Sequence, residues 1–196
     1  MTFTPIGPRF SLQRIALALV FACGILLTLP HARADDAAWQ ALENGGIVLF
    51  RHALAPGTGD PANFTLGDCS TQRNLDDQGR ADSRAIGQAF RDKGIEVGGV
   101  LTSQWCRCVE TAELAFPGQV EEEPVFNSFF QNRSAGPEQT RAGQRILEQW
   151  PGDGALVIIT HQVNITALTD IFPQSGEGIV VEINDGEIEV IGRLGI

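Results

Sequence analysis

The sequence has 196 residues, of which 43% are hydrophobic and 19% are charged, with 24 acidic residues against 14 Lys and Arg. This length suits one domain and excludes two large ones. The composition is that of a packed globular chain and excludes a disordered or coiled-coil protein. A formal net charge of −10 excludes a general nucleic-acid binder, because no basic stripe is available to neutralise backbone phosphates.

The first 34 residues have the pattern of a signal peptide. A basic start precedes an apolar run over 15–29, and Ala32-Arg33-Ala34 then offers small residues before a cleavage point. The run is shorter than the ~20 residues that span a bilayer, which favours a cleaved segment over a retained anchor. The mature domain would be residues 35–196, with 11 basic and 24 acidic residues and a net charge of −13. We therefore predict a secreted or periplasmic protein with no membrane span after cleavage.

Hydrophobic periodicity predicts helices and strands in alternation along this domain. The predicted helices cover 35–44, 76–93, 105–116, 138–150 and 163–171. The predicted strands cover 47–50, 97–101, 124–130 (a third strand or the exit from it), 156–159, 179–183 and 188–191, and the last two flank the hairpin signal Asn184-Asp185-Gly186-Glu187. We therefore predict an α/β fold, a three-layer sandwich with a mostly parallel central sheet, helices on both faces and a C-terminal β-hairpin.

The mature chain has two histidines, and each directly follows an apolar strand. His52 comes after the first predicted strand and His161 after the strand over 156–159. A lone histidine is more often a satisfied core or surface residue, but ligands of open α/β sheets bind outside the carboxyl ends of the strands. The shared placement therefore predicts that both imidazoles lie at one crevice.

Two arginines also follow or end predicted strands, as the histidines do. Arg51 precedes His52, and Arg107 follows the second predicted strand. Two guanidinium groups and two imidazoles at one crevice suit a doubly charged anion, most naturally a phosphoryl group, since an arginine fork makes two parallel bonds to phosphate oxygens. Arg73, at the end of the long loop over 53–74, either reaches the same substrate or caps a surface.

Four short elements follow one another along the chain. They read Phe50-Arg51-His52-Ala53, Leu75 with the eight residues after it, Ser103 with the nine after it, and Ile158-Ile159-Thr160-His161. These elements are similar to the motifs of the histidine phosphatase (phosphoglycerate-mutase-like) superfamily, in which a strand leads to Arg-His-Gly and a later strand ends in Ser/Thr-His. The resemblance covers most of residues 46–170.

The resemblance implies a covalent phosphohistidine mechanism that needs no metal and no cofactor. His52 would be the nucleophile, with its second ring nitrogen donating to a backbone carbonyl that fixes the tautomer. His161, Arg51 and Arg107 would hold the phosphoryl oxygens as charge redistributes in the transition state.

The sequence departs from the family pattern at the glycine and at the general acid. Ala53 stands in place of the glycine, which is tolerable only if that position has no positive φ. Gln162 stands where one branch of the family has an aspartate, and the stretch 126–130 has no acid where another has a glutamate. The run Glu121-Glu122-Glu123 is typical of a solvated edge. Without a strong acid the site would favour substrates whose leaving group departs easily.

The mature chain has three cysteines, which allow one disulfide and one free thiol. Cys106 and Cys108 point about 200° apart on a helix and cannot easily bond to each other. Cys69, in the long loop, would pair with one of them, and the sequence leaves both partners open.

We therefore predict a phosphohydrolase that acts on small phosphomonoesters, phosphoramidates or anhydrides with good leaving groups. A second hypothesis is a protein of the same fold that binds phosphate without turnover, since the general acid is not identified. A phosphoryl-transferring mutase is a third hypothesis and ranks last, because nothing in the sequence would retain an intermediate against water. Substrate choice would rest on residues 53–74 and 121–137, where the resemblance is weakest.

Overall fold

The computed structural model describes residues 1–2 and 29–195, and it describes side chains in 1–2 and 35–195. The predicted signal peptide lies almost wholly outside these described residues, so it stays a prediction. A compact unit spans Ala34–Ile196. Among the described residues, none of the helices combines the length and apolar character needed to cross a bilayer.

The described part of this unit alternates helices and strands. In chain order the elements are α1 (Leu29–Glu43), β1 (Ile47–Arg51), α2 (Asp77–Lys93), β2 (Val97–Thr102), α3 (Cys106–Ala115), β3 (Val120–Glu122), α4 (Gly136–Glu148), β4 (Ala155–Thr160), α5 (Gln162–Thr169), β5 (Gly178–Asn184) and β6 (Glu187–Leu194). Short 3-10 turns cover Cys69–Thr71, Pro124–Phe126 and Arg133–Ala135.

The strands form one sheet in the order β3-β2-β4-β1-β5-β6. The first four are parallel, and β1 pairs with β4 so that Arg51 lies opposite Thr160. Strand β5 pairs antiparallel with β1, and β6 pairs antiparallel with β5 to form the hairpin. Because parallel strands end at the same edge of the sheet, the residues after β1, β2 and β4 meet there.

Strand side chains alternate between two hydrophobic clusters, one on each face of the sheet. One cluster joins the strands to α1, α2 and α3, and its strand members include Val48, Phe50, Val157, Ile159 and Val180. The other joins them to α4 and α5, and its strand members include Ile47, Leu49, Leu156, Ile158, Ile179 and Val181. The period-2 alternation of buried side chains on both faces explains why these strands are apolar throughout. The predicted three-layer α/β sandwich with a C-terminal hairpin is confirmed.

The predicted element ends have clear physical causes. The Asp76 carboxylate accepts a hydrogen bond from the Gly79 N–H at 2.8 Å and so caps α2, which ends at Gly94 with a φ of +68°. Asp185 and Gly186 both have positive φ, at 53° and 80°, as the tight turn between β5 and β6 requires.

Of the two alternatives for 124–130, the stretch is the exit from the third strand and not the strand itself. The strand lies earlier, at Val120–Glu122, and pairs with β2 at the edge of the sheet. Its two glutamates are exposed, so main-chain pairing rather than an apolar run holds it. The apolar stretch begins with Pro124, which has no N–H for a strand ladder, and forms a turn that buries Phe126 under the sheet. Elsewhere the predicted elements differ only at their ends; α1 begins at Leu29 and α4 covers Gly136–Glu148.

We expect Gly87→Ala to destabilise the fold, because helices α2 and α3 approach each other closely there. A Cβ on Gly87 would overlap the carbonyl oxygen of Ala115. Overpacking of this kind typically costs about 1–3 kcal/mol of unfolding free energy, which urea denaturation measures.

Gly143→Ala is the matched control within α4. A Cβ there would lie 3.5 Å from the Phe126 ring, which is ordinary contact, so the gain in helix propensity should leave stability unchanged or raise it by up to about 1 kcal/mol. Equal effects of the two substitutions would contradict the close approach of α2 and α3.

Candidate active site

The ends of β1 and β4 bring His52 and His161 together. The His52 N–H donates to the Thr160 carbonyl at 2.9 Å, and the His52 and His161 ring centroids are 5.5 Å apart. Both rings are buried, with 3% and 4% of the residue surface exposed. The predicted convergence of the two strand ends is therefore present in the structure.

The His52 ring is oriented by hydrogen bonds at both nitrogens. Its Nδ1 lies 2.8 Å from the Ala53 carbonyl oxygen, and its Nε2 lies 3.2 Å from Arg107 Nε. Because a carbonyl only accepts and a guanidinium only donates, we assign the neutral tautomer with hydrogen on Nδ1 and the lone pair on Nε2. Burial, together with the charge of Arg107, lowers the pKa of His52 to about 3. This imidazole is therefore neutral at neutral pH.

Ala53 fits its position without strain. Its N–H donates to Thr111 Oγ1 at 3.1 Å, and that hydroxyl donates to the Arg107 carbonyl at 2.7 Å. In the described part of the chain, positive φ values are confined to glycines, Asp170 and Asp185. An alanine is therefore tolerated where the family motif has glycine.

The Arg107 guanidinium lies at the centre of the crevice. It projects from the first turn of α3, it is only 3% exposed, and it donates to His52 from Nε. One terminal nitrogen, NH2, also lies 3.5 Å from His161 Nδ1.

A carboxylate that the sequence reasoning did not single out, that of Asp60, pairs with this guanidinium. Arg107 NH1 donates to Asp60 Oδ1 at 2.7 Å and NH2 donates to Oδ2 at 3.2 Å, and the Asp60 side chain is 7% exposed. Burial alone would raise the pKa of the Asp60 carboxyl, but the hydrogen bonds and charge of Arg107 outweigh it and hold that pKa below its usual value. Only one sequence signal marks Asp60. It is a lone acid beside Gly57, Gly59 and Pro61 in the loop after His52.

His161 is held by the loop that follows β2. Ser103 Oγ lies 2.8 Å from His161 Nε2 and itself donates to Asn127 Oδ1 at 3.2 Å. The hydroxyl therefore accepts from Nε2–H, which leaves the Nδ1 lone pair facing Arg107. Burial, with the neighbouring His52 and the nearby arginines, lowers the pKa of His161 well below its usual value.

Besides the exposed Arg133, two further arginines line the same cavity, whose volume is about 480 Å³. Arg51 NH1 donates to the Pro173 carbonyl at 3.0 Å, whereas its buried Nε has no hydrogen-bond partner within the described part of the chain. Arg73 lines the cavity and also donates to the Gly59 and Ala55 carbonyls, so its guanidinium braces the long loop. Burial and the charge of Arg107 lower the pKa of both arginines, which shows how crowded the positive charge is.

At the positions where relatives would have an acid, this chain has uncharged side chains, and the nearby glutamates do not line the cavity. The Gln162 amide donates to Thr166 Oγ1 at 2.8 Å. Glu121 and Glu122 are exposed, and Glu123 accepts from the Val125 N–H at 2.9 Å as a cap. The described residues contain no group of three or more His, Cys, Asp or Glu side chains placed to hold a metal ion.

The open question of the disulfide is resolved in favour of Cys106, which bonds to Cys69. Cys106 lies in the first turn of α3 and faces the long loop, whereas Cys108 is buried under the sheet edge as a free thiol. Burial raises the pKa of the Cys108 thiol to about 12, so it is protonated and unreactive. The bridge joins the long loop to the helix that carries Arg107.

Solved structures that superpose on this chain include several phosphatases. YhfR of Bacillus stearothermophilus superposes with a TM-score of 0.55 at 15% identity, covering 74% of this chain and 94% of that one. The protein histidine phosphatase SixA in complex with tungstate gives 0.52 at 17% identity, over 76% and 96%. Phosphoserine phosphatase of Entamoeba histolytica gives 0.55 at 10% identity, over 76% and 96%. The chain has the histidine phosphatase fold.

Sequence comparison adds little to this fold assignment. No family model matches the sequence. An uncharacterized protein of Picosynechococcus sp. is 29% identical over 122 residues, which cover 61% of this chain and 67% of that protein. The histidine phosphatase fold therefore rests on three-dimensional likeness, in agreement with the motif resemblance.

We expect the buried neutral histidines to make the fold less stable in acid. The unfolded chain binds a proton on each imidazole near pH 6.5, whereas folded His52 binds one only near pH 3, so the free energy of unfolding falls as pH is lowered between these values. The slope is at most about 1.4 kcal/mol per pH unit for each imidazole.

His52→Asn removes one of these groups, so its stability should fall less steeply than that of the wild type in urea titrations between pH 6 and pH 4. The carboxylates are common to both proteins and cancel in the difference. Parallel curves for the two proteins would contradict a neutral, buried His52.

Proposed function

We propose that this chain is an exported phosphohydrolase that forms a covalent phosphohistidine on His52. One observation supports it above the others. The unprotonated Nε2 of His52 faces a cavity lined by Arg51, Arg73 and Arg107, in a domain whose net charge is −13 from 11 basic and 24 acidic residues. Positive charge concentrated around a neutral nucleophile suits a phosphoryl dianion.

The arginines supply more positive charge than Asp60, the one carboxylate among the described lining residues, can balance. Arg51 Nε is buried without a partner in the described residues, and the pKa of Arg51 and that of Arg73 are lowered by burial and by Arg107. A bound dianion would accept hydrogen bonds from these donors and relieve the repulsion between them. The presence of tungstate, an oxyanion, in the SixA neighbour agrees with this interpretation.

In the first step, the Arg107 Nε–H moves from His52 Nε2 to a phosphoryl oxygen, and the freed Nε2 lone pair attacks phosphorus while the bond from phosphorus to the leaving atom breaks. The Ala53 carbonyl, 2.8 Å from Nδ1, stabilises the positive charge that develops on the ring as the nitrogen–phosphorus bond forms. In the second step water attacks phosphorus, the nitrogen–phosphorus bond breaks, and phosphate leaves. Arg51 and Arg107 hold the phosphoryl oxygens in both steps, and His161 joins them as an imidazolium, since the phosphoryl dianion favours a proton on Nδ1.

The substrate class is small phosphorylated molecules: phosphomonoesters, phosphoramidates or anhydrides. The cavity of about 480 Å³ is of a size for such ligands, and its outer part includes Phe130, Arg133 and Phe172. An aromatic or second anionic group on the substrate would meet these side chains. Export is supported by the Cys69–Cys106 disulfide, since such bonds persist in oxidising compartments.

We expect His52→Ala to abolish phosphate release from 4-nitrophenyl phosphate, measured with EDTA present, because the substitution removes the nucleophile. Rapid quenching followed by intact-mass spectrometry should show an acid-labile adduct of about 80 Da in the wild type, and peptide mapping should place it on His52. His161→Asn is the matched control, since it retains the nucleophile and should form the adduct more slowly.

Tight binding of phosphate with neither release nor adduct would contradict a phosphohydrolase and favour a phosphate-binding protein of the same fold. Loss of activity on addition of EDTA would contradict a reaction that needs no metal.

A further inference from the structure

Asp60 is the only carboxylate among the described residues that line the cavity. Asp60 shares this cavity with the two histidines at the strand ends and with Arg107 from α3. The other arginines that line it are Arg51, Arg73 and Arg133. The two positions where relatives have an acid are occupied by uncharged residues here. The nearby glutamates 121–123 lie away from the cavity. If the reaction uses a carboxyl group from this chain, Asp60 is the one within reach.

The Asp60 oxygens occupy the donors that a reacting phosphoryl group needs. They accept from Arg107 NH1 at 2.7 Å and NH2 at 3.2 Å, while Nε of the same guanidinium lies 3.2 Å from His52 Nε2. A phosphorus atom placed for attack by His52 Nε2 brings its oxygens to that same fork. The carboxylate and the phosphoryl group therefore compete for Arg107.

Asp60 has other partners that keep it beside the cavity once it leaves Arg107. Trp105 Nε1 donates to Oδ2 at 3.0 Å, and the Arg73 N–H donates to Oδ1 at 3.3 Å. Gly57 and Gly59, with φ of +96° and +70°, allow the loop before Asp60 to adjust. A carboxylate that has lost its guanidinium and lies next to a phosphoryl anion takes up a proton, because the nearby negative charge disfavours its ionised form.

We propose that Asp60 is the proton donor of this site, seated on Arg107 while the cavity is empty and displaced by the phosphoryl group of the substrate. The proposal rests on the phosphohydrolase function proposed above. Asp60 lines the cavity in which the leaving atom of the substrate must also lie.

The step balances as follows. As His52 Nε2 bonds to phosphorus, the bond from phosphorus to the leaving oxygen breaks and that oxygen takes the Asp60 proton. In the second step the Asp60 carboxylate accepts a proton from the attacking water, whose oxygen bonds to phosphorus while the nitrogen–phosphorus bond breaks. The net reaction is hydrolysis. Asp60 ends the second step protonated, as it began the first, and it releases to solvent the proton that it took up on displacement when its carboxylate returns to Arg107.

The proton donor widens the substrate class of the proposed function. Without an acid the site would be restricted to leaving groups that depart as stable anions. With Asp60 protonating the leaving oxygen, alkyl phosphate esters become substrates as well.

The test compares Asp60→Asn with wild type on two substrates, 4-nitrophenyl phosphate and a simple alkyl phosphate. The amide keeps the shape and the hydrogen bond from Trp105 but has no proton to give. We expect the ratio of kcat/KM for the alkyl ester to kcat/KM for the nitrophenyl ester to fall by about 10²-fold or more, because loss of competition for Arg107 affects both esters alike whereas loss of the proton donor affects the alkyl ester. Asp68→Asn is the matched control, since Asp68 lies in the same loop and caps an exposed turn, and it should behave as wild type.

A second readout tests displacement without turnover. Inorganic phosphate should bind Asp60→Asn at least about tenfold more tightly than wild type in calorimetric titration, because a like charge no longer competes for Arg107. Equal phosphate affinities, or equal losses of kcat/KM on both esters, would overturn the role of Asp60 while leaving the phosphohydrolase intact. Turnover of neither ester by wild type would instead overturn the proposed function itself.

Discussion

The buried pair of Arg107 and Asp60 is the interaction on which the rest of the site depends. A guanidinium that is 3% exposed must have an anionic partner, since an unpaired buried charge is strongly destabilising. The carboxylate that supplies it lies on a loop far from α3 in sequence, and the Cys69–Cys106 bridge ties that loop to the start of the helix. The loop over 53–74 is therefore part of the site and not a surface connection.

The neutral histidines follow from the same arrangement. Burial and the charge of Arg107 keep His52 unprotonated, and the Ala53 carbonyl fixes which nitrogen has the lone pair. His161 is kept neutral by the same surroundings and is oriented by Ser103. A site built this way has an unprotonated imidazole nitrogen at neutral pH and a surplus of positive charge, and both suit the phosphoryl group of the proposed substrate.

The sequence allowed prediction of whatever depends on strongly apolar strands and on the residues that directly follow them. The runs over β1 and β4 predicted buried strands and, with them, the meeting of His52 and His161. The edge strand β3 was missed because exposed glutamates carry no hydrophobic signal. Asp60 and the choice of Cys106 over Cys108 could not be predicted, because both depend on how a loop rich in Gly and Pro folds back, and no periodicity encodes that path.

The exchange of one anion for another on Arg107 also bears on product release. Throughout the proposed cycle the guanidinium is paired, first with Asp60, then with the phosphoryl group, and finally with Asp60 again. Phosphate held by several arginines would leave slowly if its departure exposed an unpaired buried charge. Return of the Asp60 carboxylate supplies the replacement partner at the moment phosphate leaves, so the residue that competes with substrate binding also shortens the lifetime of the product complex.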